Sequence, residues 1–290
     1  MIQQSHFATD WLDKRARLTP DKIAVIDYSD GVETTYAEWN ARANKTANYL
    51  RSLGIEEGDR VAVYASNRME YLDLFWAAPK IGAMLQNLNW RLTVHELKQI
   101  IADGAPKVLI YSEDWRDQVE ELKPSLTTVE HVVAMTSPGS DEGDIAERES
   151  MPEVLTNVPD LTMDSPWGIY YTGGTTGLPK GAVITHGNVT WNSINTITSW
   201  GISGSHKAAL QLPFFHIGGP NIFMVPMVHT GGTTILCEGF DPDETFDLVE
   251  QSGITHYVAV PTMFQLLQTH DRWIEADFSK LELVNSGGAP

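Results

Sequence analysis

The ten residues Thr172-Gly173-Gly174-Thr175-Thr176-Gly177-Leu178-Pro179-Lys180-Gly181 constrain this chain more than any other stretch. They hold four glycines, a proline, three threonines and a lysine, and they follow directly on the strand-like run Trp167-Gly168-Ile169-Tyr170-Tyr171. Glycine lets the backbone turn its N–H groups toward an anion with no side chain in the way, and consecutive N–H groups form an anion-binding concavity. Threonine hydroxyls add donors, and Lys180 adds a compact positive charge. These residue types predict a triphosphate cradle placed after a strand. A Walker A loop would end in Gly-Lys-Ser/Thr, whereas here Pro179 precedes Lys180 and Gly181 follows it, so the common phosphate motif is excluded.

Around the loop the chain alternates between strand and helix signals. Lys22 to Asp27, Arg60 to Ala65, Ala83 to Leu88, Lys107 to Tyr111 and His131 to Met135 read as apolar strands. Between them Thr35-Tyr36-Ala37-Glu38 and Thr93-Val94-His95-Glu96 have the spacing of capping boxes and should each open a helix. After the loop, Gly181 to Thr185, Lys207 to Pro213, Thr233 to Leu236, Thr255 to Val260 and Leu281 to Asn285 continue the alternation. The pattern predicts an α/β fold of mostly parallel sheets flanked by helices. It also suggests two interleaved lobes, residues 58–204 with the loop and residues 20–57 plus 205–290. Residues Ser137 to Asp160 lack periodicity and are rich in Asp and Glu, which predicts a solvated excursion within the domain.

A chain of 290 residues can bury a large core, and its net charge of −18 argues against nucleic acid and anionic membranes as partners. Cys237 is the only cysteine, so no intrachain disulfide forms and a reducing compartment fits. The start, Met1 to His6, carries neither a basic cluster nor an apolar run, so no signal peptide is expected. No apolar stretch reaches the roughly 18 residues of a spanning helix. A cytoplasmic protein is the expectation. His95-Glu96 has Gln99 where a zinc protease needs its second histidine, and the remaining histidines are scattered.

Three segments occur in an order that resembles the adenylate-forming superfamily of acyl-CoA synthetases, luciferases and peptide-synthetase adenylation domains. They are the 172–181 loop, Pro213-Phe214-Phe215-His216-Ile217-Gly218-Gly219, and the final Ser286-Gly287-Gly288-Ala289-Pro290. Gly173 departs from the family, where serine is frequent. The resemblance covers nearly the whole chain, and the wording at 214–219 and Val260-Pro261-Thr262-Met263-Phe264 is most similar to fatty-acyl-CoA ligases. It implies that ATP and a carboxylic acid form an acyl-adenylate with release of pyrophosphate, and that a thiol such as coenzyme A then takes the acyl group. It further implies that Thr172, Gly173, Gly174, Thr175, Thr176, Gly177 and Lys180 hold the phosphates, with Thr172 as a magnesium ligand. Lys180, Thr175 and Thr176 would act on the reacting phosphates, and His216 would stand beside the carboxylate and the α-phosphate. Gly287, Gly288, Ala289 and Pro290 would border the adenine and the acyl group.

The acyl pocket is expected between the helix of Trp191, the segment from Phe214 to Phe223, and the helix of Met263, because ligands collect beyond strand ends in open α/β sheets. Trp191, Met224 and Met263 read equally as core. Arg91 matches a family segment without an assigned role. The family's later motifs and its small C-terminal domain have no counterpart, so the chain is expected to be the first part of the large domain, inactive alone in overall ligation. Two rival readings are a carrier-protein thiol as acceptor and a non-catalytic nucleotide- or acyl-binding module.

Overall fold

The computed structural model describes residues 7–135, 143–172 and 179–288. Two largely parallel sheets share one central core. The first has seven strands, β3 (Arg60–Tyr64), β4 (Met84–Asn87), β5 (Val108–Ser112), β6 (His131–Met135), β7 (Gly143–Asp144), β8 (Pro166–Thr172) and β9 (Lys180–Thr185). Their spatial order is β7-β6-β5-β3-β4-β8-β9, and only β9 runs antiparallel. The second has six strands, β1 (Ile23–Asp27), β2 (Glu33–Thr35), β10 (Lys207–Leu210), β11 (Thr233–Leu236), β12 (His256–Ala259) and β13 (Leu283–Ser286), ordered β13-β12-β10-β11-β1-β2. Here only β2 is antiparallel.

Side chains that alternate along each strand divide the apolar residues among three clusters. Ala62 and Tyr64 of β3 face Leu97 and Ile101 of α4 (Val94–Gly104) and Val119 of α5 (Arg116–Leu122). On the other side of β3, Val61 and Val63 join the central cluster. That cluster also takes Trp39 of α2 (Tyr36–Ser52), Trp76 of α3 (Met69–Lys80), Val189 of α6 (His186–Trp200) and Val228 of α7 (Val225–Thr230), together with Leu210, Leu236 and Val258 of the second sheet. Ala209, Ile235, Tyr257 and Ala259 face the opposite way, onto Phe246 of α8 (Pro242–Glu250) and Met263 of α9 (Pro261–Gln268). The result is five layers, with helices outside each sheet and between them.

Helix starts follow the sequence closely. Thr35 and Glu38 form the reciprocal capping box at the start of α2, and Thr93 and Glu96 do the same for α4. Each such cap contributes about 1 kcal/mol by satisfying backbone N–H groups that the helix leaves open.

The acidic excursion is a correction. From residue 143 onward it is anchored rather than solvated. Ile145 and Arg148 are buried, and Arg148 pairs with the fully buried Asp73 at 2.9 Å. Polar residues along α2 then satisfy the irregular backbone. Asn44 donates to the Glu153 carbonyl, Asn48 to those of Pro152 and Val154, and Arg51 to those of Thr156 and Asn157. A segment without periodicity can still be fixed when a neighbouring helix supplies its hydrogen-bond partners.

Candidate functional site

Among the described residues, a cavity of about 840 Å³ lies beyond the carboxyl ends of β10, β11, β12 and β13. Chain leaving β3 (Ser66, Asn67) and β4 (Trp90, Arg91) closes its other side, so both sheets contribute at the edge where ligands collect in parallel α/β folds. Its volume falls in the usual range for small-molecule sites.

His216 lines this cavity on a tight turn. The Gly219 N–H donates to the His216 carbonyl at 2.9 Å, and the His216 N–H donates to the Pro213 carbonyl at 3.1 Å. The turn needs glycine, since a Cβ on Gly219 would sit 2.3 Å from the Pro213 oxygen. The Gly218 N–H donates to His216 Nδ1 at 3.1 Å, which makes Nδ1 the acceptor and leaves Nε2 to carry the proton of the neutral ring. The ring edge is therefore a donor. One π-helical turn (Pro220–Met224) leads from here into α7, and Asn221 bonds back to the Ile217 carbonyl at 3.0 Å.

Asn67, which the sequence reading passed over, holds the turn from the other sheet. Its Oδ1 accepts from the Phe214 N–H at 2.9 Å, and its Nδ2 donates to the Leu212 carbonyl at 2.9 Å. Gly287 and Gly288 line the opposite end, and Gly288 has φ +83°, a conformation that suits glycine. Ala289 and Pro290 lie outside the described residues.

Thr172 and Lys180 face each other across the β8–β9 hairpin and define its base. Gly173, Gly174, Thr175, Thr176 and Gly177 lie outside the described residues, so the structure places the two ends of the expected cradle and not its middle. Strand β8 is parallel to β4, with Tyr170 opposite Asn87, so its end shares the edge that carries Trp90 and Arg91. The Tyr171 hydroxyl donates to Asp103 of α4 at 2.6 Å, and a Cβ on Gly181 would touch the Tyr171 ring. This fixes the hairpin against the helix layer. Lys180 makes no ion pair among the described residues, so an anionic ligand would meet an uncompensated ammonium.

The expected pocket lining needs correction. Met263 lines the cavity beside Leu266 and Ile222, but Met224 is fully buried core. Trp191 does neither, being 60% exposed on the outside of α6. A helix has two sides, and sequence alone did not say which faced inward. Arg91 gains a place, with its guanidinium lying 4.9 Å from the Trp90 ring and 5.7 Å from the Phe215 ring at the cavity wall. Glu238, Asp241 and Glu244 make one end acidic, and burial together with Asp241 and Glu238 pushes the Glu244 carboxyl up.

Among the described residues no cluster of three or more His, Cys, Asp or Glu is placed to hold a metal ion, and no helix is long and apolar enough to cross a membrane. The family model described as AMP-binding enzyme matches residues 12–290. The chain belongs to this family. It is 35% identical to a feruloyl-CoA synthase of Amycolatopsis sp over 280 residues, which is 97% of this chain and 54% of that relative. Against a long-chain-fatty-acid–CoA ligase of Mycobacterium tuberculosis the identity is 30%, over 96% of this chain and 54% of the relative. Among solved structures, ATP-bound MatB from Rhodopseudomonas palustris superimposes with a TM-score of 0.83 at 29% identity, covering 96% of this chain and 55% of that one. The chain thus spans about half the length of the curated relatives it matches.

Proposed function

We propose that these residues form the nucleotide- and acyl-binding part of an ATP-dependent acid–thiol ligase. One observation carries the reading: the His216 turn and Gly287–Gly288 line a single cavity, at the sheet edges where the Thr172–Lys180 hairpin also ends. In the first step a carboxylate oxygen attacks the α-phosphorus of ATP, pyrophosphate leaves, and an acyl-adenylate remains. In the second, a thiol adds to the acyl carbon and AMP leaves. Both steps bring anions together, so fixed donors and cations supply most of the help.

Lys180 holds the charge of the leaving phosphates, with Gly173, Gly174, Thr175, Thr176 and Gly177 as backbone and hydroxyl donors. His216 Nε2–H donates to an oxygen of the carboxylate or α-phosphate, as the acceptor role of its Nδ1 requires. The Thr172 hydroxyl is the proposed protein ligand of magnesium, which supplies charge neutralisation at the phosphates when bound. Gly287, Gly288, Ala289 and Pro290 leave room for adenine and the acyl group. Trp90, Phe215, Ile222 and Met263 give the acid an apolar wall, which supports a hydrophobic carboxylic acid. A fatty acid is the reading that the 214–219 wording favours, and a substrate panel with feruloyl-type acids beside it tests that choice. Coenzyme A is the proposed acceptor and the cytoplasm the proposed compartment. Because the chain spans about half of its relatives, overall ligation is proposed for a protein of their full length, and the 290 residues are expected to bind without completing thioester formation.

The test is calorimetric titration of the chain with a non-hydrolysable acyl-adenylate analogue and with Mg-ATP. We expect binding that Lys180→Ala and His216→Ala each weaken by roughly tenfold or more, the loss of one charge-assisted contact. Unchanged binding in both folded variants would remove the assignment.

A further inference from the structure

The two parts of the proposed site hang from different sheets. The His216 turn follows β10 of the six-stranded sheet, and the Thr172–Lys180 hairpin ends β8 of the seven-stranded one. Helix α3 feeds the central cluster between them, and Tyr71 in its first turn, only 1% exposed, touches both parts. Its ring meets that of Phe214, at the start of the His216 turn, edge-on at 5.5 Å and 81°. Its hydroxyl donates to Asn87 Oδ1, at the end of β4, at 2.8 Å. Asn87 Nδ2 in turn donates to the Ile169 carbonyl on β8 at 3.3 Å and to the Leu85 carbonyl at 3.2 Å. Ile169 stands three residues before Thr172, about 10 Å along the strand. Tyr71 and Asn87 thus span the gap from the turn to the strand that carries the hairpin.

Each polar atom of this bridge has a fixed role. Two carbonyls, which only accept, face the Asn87 amide nitrogen, so the amide oxygen is left to Tyr71. The Tyr71 hydroxyl is therefore the donor, and burial keeps it protonated by pushing the phenol well above its ordinary value. Asn87 is 3% exposed and Phe214 1%. In so dry a place a satisfied polar pair holds one arrangement, because losing either partner leaves the other unpaired. Strand β8 is also pressed against β4, since a Cβ on Gly168 would lie 2.8 Å from the Leu85 oxygen.

We propose that Tyr71 is a positioning residue, which through Phe214 and Asn87 fixes the distance between the His216 turn and the phosphate hairpin. The proposal rests on the adenylating reading, in which one ATP molecule meets the turn with its α-phosphate and Lys180 with its terminal phosphates. A ligand that engages two places at once gains over its separate halves only while their spacing matches its own length. Attack on the α-phosphorus makes the same demand, since a misplacement of about 1 Å costs on the order of a hundredfold in rate. Tyr71 is not part of the cavity lining, so it acts through its neighbours.

Calorimetric titration of the 290-residue chain with three ligands provides the test. AMP reaches only the turn, magnesium pyrophosphate only the hairpin, and the magnesium complex of α,β-methylene-ATP spans both without reacting. Tyr71→Phe keeps the ring against Phe214 and removes only the hydroxyl. In this variant AMP and pyrophosphate are expected to bind within about twofold of wild type, while α,β-methylene-ATP weakens by roughly tenfold. A general loosening of the fold would weaken all three together. In a His216→Ala background the same substitution should add less than about twofold, because the contact it positions is already gone. Phe214→Leu, which breaks the bridge at its other end, should reproduce the pattern. Tyr49→Phe, whose buried hydroxyl has no partner among the described residues, should leave all three affinities unchanged. Equal weakening of the three ligands in Tyr71→Phe, or undiminished α,β-methylene-ATP binding, would overturn the proposal and leave the nucleotide site in place. A wild-type chain that binds none of the three would overturn the adenylating reading, and this proposal with it.

Discussion

Asn67, just beyond β3 of one sheet, accepts the backbone N–H of Phe214, just beyond β10 of the other, at 2.9 Å. The same amide donates to the Leu212 carbonyl, so one side chain clamps both sides of the Pro213 turn and fixes where His216 enters the cavity. Asn67 is 6% exposed, so its loss leaves two backbone groups without partners in a nearly dry setting. Asn67→Ala is expected to lower stability by about 1–3 kcal/mol in denaturant titration. It should also weaken binding of an acyl-adenylate analogue, because the turn is no longer held. A variant with wild-type stability and affinity would show that the clamp is dispensable.

Gly219 makes a sharper probe of the same turn. Its Cβ would meet the Pro213 oxygen at 2.3 Å and Phe214 Cα at 3.0 Å, and both are backbone atoms that cannot rotate away. Gly219→Ala must therefore open the turn. The expected outcome is lower thermal stability together with a loss of analogue binding similar to that of His216→Ala. Gly239→Ala, with open space around its Cβ, is the control and should change stability little.

Histidine burial predicts a stability loss on acidification. Desolvation pushes both His186 and His229 down to about 4 from the ordinary 6.5, and it lowers His256 as well, with His206 adding to the effect. Between pH 6.5 and 4 the unfolded chain takes up protons that the folded chain refuses, so stability rises with pH across this window and is complete above it. His186 alone contributes on the order of 3 kcal/mol. Denaturant midpoints measured from pH 7.5 down to 4.5 should fall steadily, and His186→Gln should flatten the slope. A pH-independent midpoint would mean that the folded rings take up protons as readily as the unfolded ones.

Much of the architecture was legible because its signals are local. Thr35 with Glu38, and Thr93 with Glu96, announce their helices within four residues, and strand–helix alternation gives two mostly parallel sheets. The site was legible only where a motif is contiguous, as at Pro213–Gly219. Asn67 lies 147 residues from Phe214, and nothing in its own neighbourhood marks it as a clamp. Arg91 was noticed without a role because its stacking partner Phe215 comes from the other sheet. Trp191 was misplaced for the opposite reason: apolar character signals burial, but an isolated aromatic on a surface helix is ordinary.

The anchored acidic segment supplies the last prediction. Asp73, fully buried on α3, receives the Arg42 guanidinium through Nε and Nη2 at 3.2 and 2.9 Å and that of Arg148 at 2.9 Å. One carboxylate thus ties α2, α3 and the 145–150 turn together, and the two guanidiniums between them offset the burial of the ion. Removing the carboxylate leaves buried positive charge without compensation, a situation that costs about 3–5 kcal/mol. Asp73→Asn is expected to destabilise by that amount and to expose residues 145–157 to proteolysis before the rest unfolds. Arg148→Met leaves the Arg42 pair in place and substitutes an apolar side chain of similar length, so its cost should be smaller. Equal costs for the two variants would mean that Arg42 alone does not hold the carboxylate, and that the three charges act as a single unit.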